Sequence, residues 1–203
     1  MRRTKAEAAE TRAAILVAAE RMFFEKGVAN STLENIATAA GVTRGAIYWH
    51  FASKTDLFLE LYNTARLPEL SMMDLEKVGV EGVDALNFIE HAIYEWIDLL
   101  ADDIPRQRMW TILIRTNFTE ELERVATAMQ AIEDSQTELL VAIFERAAST
   151  GRLSPAWTPE LASLTLKWHA KGMCWEWLLE GQKFDIRTLG RQSVGKLFEA
   201  FRA

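Results

Sequence analysis

The first 26 residues of the chain carry apolar positions at the spacing of one helix face. The positions i, i+4, i+7 and i+8 of this face are Ile15, Ala19, Met22 and Phe23. They predict a first helix from about Thr4 to Lys26. Gly27 is expected to end it, since glycine readily adopts the left-handed conformation that closes many helices.

Two short helices joined by a tight turn are predicted next. The run Ser31-Thr32-Leu33-Glu34 offers a hydroxyl N-cap with a glutamate three residues on, which predicts a second helix ending near Ala40. Thr43 is expected to cap a third helix from Arg44 to about His50. The connection Ala40-Gly41-Val42-Thr43 is a short turn with a glycine, so this pair of helices is typical of a helix-turn-helix unit.

The capping pattern continues along the rest of the chain. Ser53 with Asp56 predicts a fourth helix starting near Lys54. Later breaks fall at Gly79 and Gly82, Asp103 to Pro105, Asn117 to Thr119, Gly151 to Pro159, and Gly181 to Asp185. The sequence shows no convincing strand pattern. It therefore predicts an all-α protein of about nine helices, with a three-helix N-terminal domain over residues 1–53 and a helical body over residues 54–203.

Composition narrows the class of protein. Hydrophobic residues make up 49% of the chain and only 4 residues are proline, which favours a packed helical protein over disorder. The single cysteine, Cys174, excludes an internal disulfide and a multi-cysteine metal site. The N-terminus has no apolar stretch typical of a signal peptide, and no apolar run approaches the length of a membrane span. We therefore expect a cytoplasmic protein with no membrane partner.

Charge is distributed unevenly along the chain. The net charge of −6 argues at first against binding to nucleic acid. However, residues 1–54 carry 8 basic and 5 acidic side chains, whereas residues 55–203 carry 15 basic and 24 acidic ones. A positive N-terminal domain on an acidic body can contact phosphates while the whole chain stays soluble.

The third predicted helix is too short to be stable alone, so it must pack on its neighbours. If Ala46, Ile47 and Phe51 face those neighbours, the outward residues are Thr43, Arg44, Gly45, Tyr48, Trp49 and His50. Hydrogen-bond donors and flat aromatic edges on one short helix suit a DNA groove. The alternative is that the aromatic pair simply belongs to the core, but the surrounding caps and the uneven charge favour DNA.

The outward residues have distinct expected contacts. Arg44 is expected to bind guanine, Gly45 to let the backbone approach the groove closely, and Tyr48 and His50 to donate to phosphates. Further phosphate ligands are expected at the start of the second helix and beside it, namely Ser31, Thr32 and Lys54. A flexible basic arm would extend the contact through Arg3 and Lys5.

Two runs resemble the signature of the TetR family, especially its AcrR and TtgR branch: Thr32-Leu33-Glu34-Asn35-Ile36-Ala37, and Ala40-Gly41-Val42-Thr43-Arg44-Gly45-Ala46-Ile47-Tyr48-Trp49-His50-Phe51 with Lys54. The resemblance implies about nine helices, dimerisation through the last two, and binding to a palindromic operator in double-stranded DNA. It also implies release of the operator when a small molecule binds the body, and in that branch often control of a multidrug efflux operon. A regulator of a metabolic operon, either repressor or activator, stays open as an alternative.

The body supplies candidates for binding a small-molecule effector. Six of the 7 tryptophans lie there, and four helix faces combine aromatic, apolar and polar positions. These candidates are Ile89, Ile93, Trp96, Trp110, Ile114, Gln136, Leu140, Trp168, Lys171 and Trp175. With acidic neighbours such as Glu95 and Glu176, they would suit a flat apolar or cationic compound. The alternative is that the same stripes form solid core.

The last two predicted helices, Leu161 to Leu179 and Ile186 to Phe201, carry apolar residues all round and therefore need partners, which supports a homodimer. An enzyme is the main rival class, but the sequence has no phosphate-binding glycine loop, nucleophile elbow or zinc-protease motif. His91 and His169 stand alone on predicted helices, so a metal sensor is also disfavoured. We expect no catalytic residues, no cofactor and no metal.

Overall fold

The computed structural model describes residues 5–65 and 84–203. Within these ranges the chain forms nine α-helices: α1 (Lys5–Lys26), α2 (Leu33–Ala39), α3 (Arg44–His50), α4 (Lys54–Ala65), α5 (Ala85–Asp102), α6 (Ile104–Arg115), α7 (Glu123–Ser149), α8 (Pro159–Leu179) and α9 (Arg191–Phe201). A 3-10 turn (Glu120–Leu122) precedes α7 and a π turn (Ile186–Gly190) precedes α9. The predicted all-α class is confirmed. The breaks expected at Gly79 and Gly82, and Arg3 of the basic arm, lie outside the described residues.

Side-chain caps fix the starts of the short helices. Thr43 accepts a hydrogen bond from the Ala46 amide at 3.2 Å, and Ser53 accepts one from the Asp56 amide at 3.0 Å. Both caps were predicted. At α2, however, the cap is Thr32, whose hydroxyl accepts from the Asn35 amide at 3.1 Å. The capping box expected between Ser31 and Glu34 does not form. The N-cap is Thr32 instead of Ser31, because Thr32 is the residue that has the extended backbone of an N-cap directly before the helix.

The turn between α2 and α3 depends on Gly41. Its φ of 67° lies in the left-handed region, where a side chain is strained. The Gly41 amide donates to the Thr38 carbonyl at 3.1 Å, and the Val42 amide donates to the Ala37 carbonyl at 2.9 Å. This pair of bonds is a Schellman motif, which satisfies two carbonyls at the end of α2 and reverses the chain into α3.

The helices group into two packed units. The first, which we call the head unit, contains described residues 5–65 and 105–128. Its core includes the predicted face of α1, with Ile15, Ala19, Met22 and Phe23 all buried. Phe23 packs on Phe58 of α4 at 5.8 Å between ring centroids. Arg12 of α1 also pairs with Glu60 of α4 at 2.7 Å, which holds the pKa of that carboxyl below its ordinary value.

The second unit, which we call the body unit, contains described residues 84–104 and 129–203. An aromatic cluster lies at its centre, where Phe201 is in edge contact with Phe144, Trp157 and Phe198. The hydroxyl of Thr158 caps α8 ahead of Pro159, and the carboxylate of Asp185 caps the π turn. These two caps agree with the breaks predicted from the sequence.

The division into head and body units does not coincide with the predicted boundary at residues 53 and 54. The head unit includes α4, whose Phe58 packs on Phe23 of α1, and most of α6, whose Arg108 pairs with Glu20 of α1. Helix α7 contributes residues to both units. The functional division at residue 54 stays a prediction, since packing and DNA binding need not share a boundary.

Candidate nucleic-acid interface

Helix α3 packs on the rest of the head unit through its inner face. Ile47 is completely buried and Phe51, which follows the helix, is also buried. Thr43, Arg44 and Gly45 are exposed, and no atom lies within 4 Å of the place where a Cβ of Gly45 would stand. The structure therefore presents the first turn of α3 as an open surface that another molecule can approach closely.

Two aromatic side chains extend this surface along α3. Trp49 is 73% exposed and Tyr48 is 43% exposed. The Trp49 ring meets the edge of the half-buried His50 at 4.5 Å between centroids. The alternative that this aromatic pair belongs to the core is therefore wrong, because side chains this exposed cannot fill a core.

A carboxylate on α2 holds two of the α3 side chains. The Tyr48 hydroxyl donates to Glu34 Oε1 at 2.9 Å, and Arg44 Nη2 lies 3.3 Å from the same oxygen. The Arg44 guanidinium also lies over the Tyr48 ring, 5.6 Å from its centroid. The pKa of Glu34 is lowered, first by a hydrogen bond from its own backbone amide, then by the Tyr48 hydroxyl and the positive charge of Arg44.

The remaining predicted DNA ligands occupy different environments. Thr32 and Lys5 are exposed, with Lys5 forming the first residue of α1. Ser31 is buried, and its hydroxyl donates to the Gly27 carbonyl at 2.9 Å. Lys54 is only 11% exposed, donates to the Val28 carbonyl at 3.1 Å and pairs with Glu121 at 3.1 Å.

These contacts place two of the predicted ligands inside the head unit, and their role in binding DNA stays a prediction. Ser31 stabilises the loop between α1 and α2, and Lys54 joins that loop to the 3-10 turn, so both bonds lie inside the head unit. Neither side chain presents its polar group on the open surface of α3. Sequence pattern marked both as polar groups near a helix start, but it does not show which way they point.

The predicted effector residues are divided between the two units. Trp110 and Ile114 belong to the head unit and the other eight belong to the body unit. Ile89 and Ile93 are buried, and five others are half-buried: Trp96, Trp110, Ile114, Gln136 and Leu140. These seven are compatible with an interior role, as cavity lining or as solid core.

The part of the effector set on α8 lies at the surface of the single chain, and its role in binding an effector stays a prediction. Trp168 is 62% exposed and Trp175 is 40% exposed, so both lie at the surface of the body unit. Lys171 pairs with Glu133 of α7 at 2.8 Å and lies 5.5 Å from the centroid of the Trp175 ring. Helical spacing correctly places these three residues on neighbouring positions of α8, but the shared face points outward.

An exposed apolar stripe follows from this orientation of α8. Four large apolar side chains of the helix are at least 40% exposed: Leu161, Trp168, Trp175 and Leu179. Their spacing of seven, seven and four residues keeps them on one side of the helix. An apolar stripe of this length is unusual on a surface that meets only water.

A small cavity in the head unit was not predicted. It has a volume of about 200 Å³ and lies between the end of α1 and α6, lined by Phe23, Phe24, Glu25, Gly27, Thr111, Ile112, Arg115 and Thr116. Pockets for drug-sized ligands usually measure about 300–1,000 Å³, so this cavity is too small to hold one as it stands.

The described ranges also bear on membrane and metal sites. Within residues 5–65 and 84–203, none of the helices combines the length and the apolar character of a membrane-spanning segment. Among the same residues, no three histidine, cysteine or acidic side chains come together as metal ligands.

Comparison with known proteins identifies the family. The profile of the bacterial regulatory proteins of the tetR family matches residues 15–61, which contain α2 and α3. The HTH-type transcriptional repressor BepR of Brucella suis biovar 1 (strain 1330) is 37% identical over 204 residues, covering 100% of this chain and 97% of BepR. The chain belongs to the TetR family. The HTH-type transcriptional regulator TtgR of Pseudomonas putida is 34% identical and covers 92% of this chain and 89% of TtgR.

Solved structures extend the TetR similarity over the whole fold. NalD, described as the secondary repressor of the MexAB-OprM multidrug efflux pump in Pseudomonas aeruginosa, has a TM-score of 0.87 at 37% identity and covers 96% of this chain and 98% of its own. SmeT in its complex with triclosan has a TM-score of 0.80 at 27% identity and covers 96% of this chain and 92% of its own. TetR-family regulators bind DNA and small-molecule effectors, usually as dimers. The resemblance deduced from the sequence is confirmed.

Proposed function

We propose that this TetR-family chain is a ligand-responsive transcriptional repressor that controls a multidrug efflux operon from a palindromic operator. The single observation that carries the proposal is the open face of α3, where Arg44, Gly45, Tyr48 and Trp49 are exposed on a helix anchored by the buried Ile47. The efflux role is supported by relatives that match almost the whole chain, since NalD and SmeT are both described as repressors of multidrug efflux pumps.

The repressor would act as a homodimer through α8 and α9. The exposed stripe of Leu161, Trp168, Trp175 and Leu179 supports this proposal, because a second copy of α8 would remove it from water. Two-fold symmetry would place two α3 helices about one DNA turn apart, ~34–36 Å, so that each meets one half-site of a palindrome.

Release of the operator would start from a small apolar or aromatic effector in the body. Helix α4 begins in contact with the start of α7 and the turn before it, where the Thr55 hydroxyl donates to the Glu121 carbonyl at 2.9 Å and Arg124 pairs with Asp56 at 3.2 Å. Because α7 contributes residues to both units, a shift of α7 on binding a ligand would move the start of α4. The coupling required is modest, about 1–3 kcal/mol in common allosteric systems.

The test is selection of DNA fragments by the purified protein, starting with the region upstream of its own gene. We expect a palindromic site whose binding weakens as salt rises. Arg44→Ala should weaken operator binding by about 1–3 kcal/mol, the usual value of a bidentate contact with guanine. Arg152→Ala is the matched control, since Arg152 is an exposed arginine of the body unit and the change of charge is the same.

Two results would contradict the proposal. One is recovery of no preferred site, with equal affinity for selected and scrambled DNA. The other is equal weakening by the Arg44 and Arg152 variants, which would mean that total charge rather than the face of α3 determines binding. For the effector, displacement of operator DNA by planar apolar compounds is expected, and a panel that leaves operator affinity unchanged would refute ligand control.

A further inference from the structure

Glu34 lies in the first turn of α2, yet its carboxylate contacts α3. It accepts a hydrogen bond from the Tyr48 hydroxyl at 2.9 Å and lies 3.3 Å from the Arg44 guanidinium. Tyr48 and Arg44 also contact each other, with the guanidinium 5.6 Å from the ring centroid. The three side chains therefore form a closed set in which each one restricts the other two.

The set remains open to an incoming molecule. The side chain of Arg44 is 74% exposed and that of Glu34 is 42% exposed. A guanidinium has five N–H donors in a fixed plane, and one ion pair with Glu34 leaves donors available for a base edge. The contact with Glu34 thus fixes the direction of Arg44 without consuming its capacity to bind DNA.

We propose that Glu34 is a positioning residue that raises operator specificity by holding Arg44 and Tyr48 ready to meet the correct bases. The inference rests on the proposed function, in which α3 enters the DNA groove. Two physical effects support it. A long arginine side chain loses rotamer freedom when it binds, and a contact that fixes it beforehand reduces this loss. The negative charge of Glu34 also repels phosphates, which weakens binding wherever Arg44 finds no matching base.

The experiment separates reach from charge with two substitutions. Glu34→Asp keeps the charge but shortens the side chain by one methylene, so the contacts with Tyr48 and Arg44 are lost. Glu34→Gln keeps the length and an acceptor for Tyr48 but removes the charge. Glu25→Gln is the matched control, because Glu25 is an exposed carboxylate of α1 and its loss changes the net charge equally.

Affinity is measured for the selected palindrome and for a scrambled duplex of the same length, over a range of salt. Glu34→Asp should bind the palindrome about five- to tenfold more weakly, as expected for the loss of one hydrogen bond and one exposed ion pair, with scrambled DNA unchanged. Glu34→Gln should show a preference for the palindrome between those of the wild type and Glu34→Asp. It should bind scrambled DNA more tightly than the wild type does. Glu25→Gln should leave the ratio of the two affinities as in the wild type.

A second readout tests whether Glu34 acts through α3. Glu34→Asp combined with Tyr48→Phe should weaken palindrome binding by less than the product of the two single effects, since both remove the same contact. Independent effects would overturn the proposal. So would equal losses on palindrome and scrambled DNA, which a change in folding alone would give. If Glu34→Asp changes nothing while Arg44→Ala weakens binding, the positioning role fails and the proposed function stands; if Arg44→Ala also changes nothing, both fail.

Discussion

Replacing Trp168 of α8 with alanine tests the proposed dimer surface. Trp168 is 62% exposed in the single chain. Since a tryptophan can bury about 150–250 Å², a partner that covers the exposed part would remove roughly 100–150 Å² from water. At about 25 cal/mol per Å², this burial contributes about 3 kcal/mol in each protomer.

In a two-fold dimer both copies of Trp168 are covered, so the substitution should cost up to about 6 kcal/mol of association free energy. A cost of this size weakens the dimer by about four powers of ten. We therefore expect Trp168→Ala to have the mass of one chain at micromolar concentration, measured by light scattering or sedimentation. Operator affinity should fall with it, because a monomer reaches only one half-site.

Trp49→Ala is the matched control for this experiment. Trp49 is 73% exposed and lies on α3, so its loss should weaken operator binding and leave the mass of the dimer unchanged. Both variants are expected to lose operator affinity, so the mass of the protein is the readout that distinguishes them. A Trp168→Ala protein that stays dimeric on dilution to nanomolar concentration would refute the interpretation of the α8 stripe. If that dimer also failed to bind effectors, the prediction of Trp168 as a ligand contact would be supported.

Three further predictions follow from single residues. Gly45→Ala should stabilise the protein by about 0.5–1 kcal/mol in urea denaturation, because Gly45 is helical and the new methyl has open space. The same methyl should weaken operator binding, because it blocks close approach of the DNA. Tighter operator binding would exclude such an approach. Burial lowers the pKa of His169, so the free energy of unfolding should fall as pH drops below about 6.5, because the unfolded chain then binds the proton more readily. His169→Gln should remove this part of the pH dependence of stability. Burial raises the pKa of Cys174 to about 12, so the thiol should resist maleimide or disulfide reagents at pH 8 until urea unfolds the chain, and rapid native labelling would contradict the buried position.

The local structure of the head unit was predictable because its signals are local. The hydroxyl of Thr43, the apolar Ile47 and the glycine at position 41 lie within one short run, and together they determine where α3 starts, which face is buried and how the turn closes. Thr32 and Ser31 mark the limit of such reasoning. Either hydroxyl can cap a helix, and the choice depends on the path of the chain after Gly27, which sequence pattern does not specify.

Contacts between elements were harder to predict. Glu34 and Tyr48 are 14 residues apart, and their hydrogen bond depends on the angle at which the Gly41 turn sets α3 against α2. The only available signal was their position on opposite sides of a predicted turn. For Trp168 and Trp175, periodicity showed that both belong to one side of α8, but it cannot distinguish a side that faces a cavity from one that faces another subunit.

In the proposed mechanism, the start of α4 is the connection between effector binding and DNA binding. Three contacts in the head unit join it to the start of α7 and the turn before it: the ion pair of Lys54 with Glu121, the hydrogen bond from Thr55 to the Glu121 carbonyl, and the ion pair of Asp56 with Arg124. A neutral hydrogen bond contributes about 0.5–1.5 kcal/mol and a surface ion pair about 0–1 kcal/mol. Lys54 is only 11% exposed but its partner Glu121 is 56% exposed, so the group amounts to roughly 1–3 kcal/mol. This range matches the coupling that an effector must supply to change operator affinity by one or two powers of ten. Under this proposal, contacts of this size would hold α4 in place without the effector, and a ligand of ordinary affinity would be strong enough to break them.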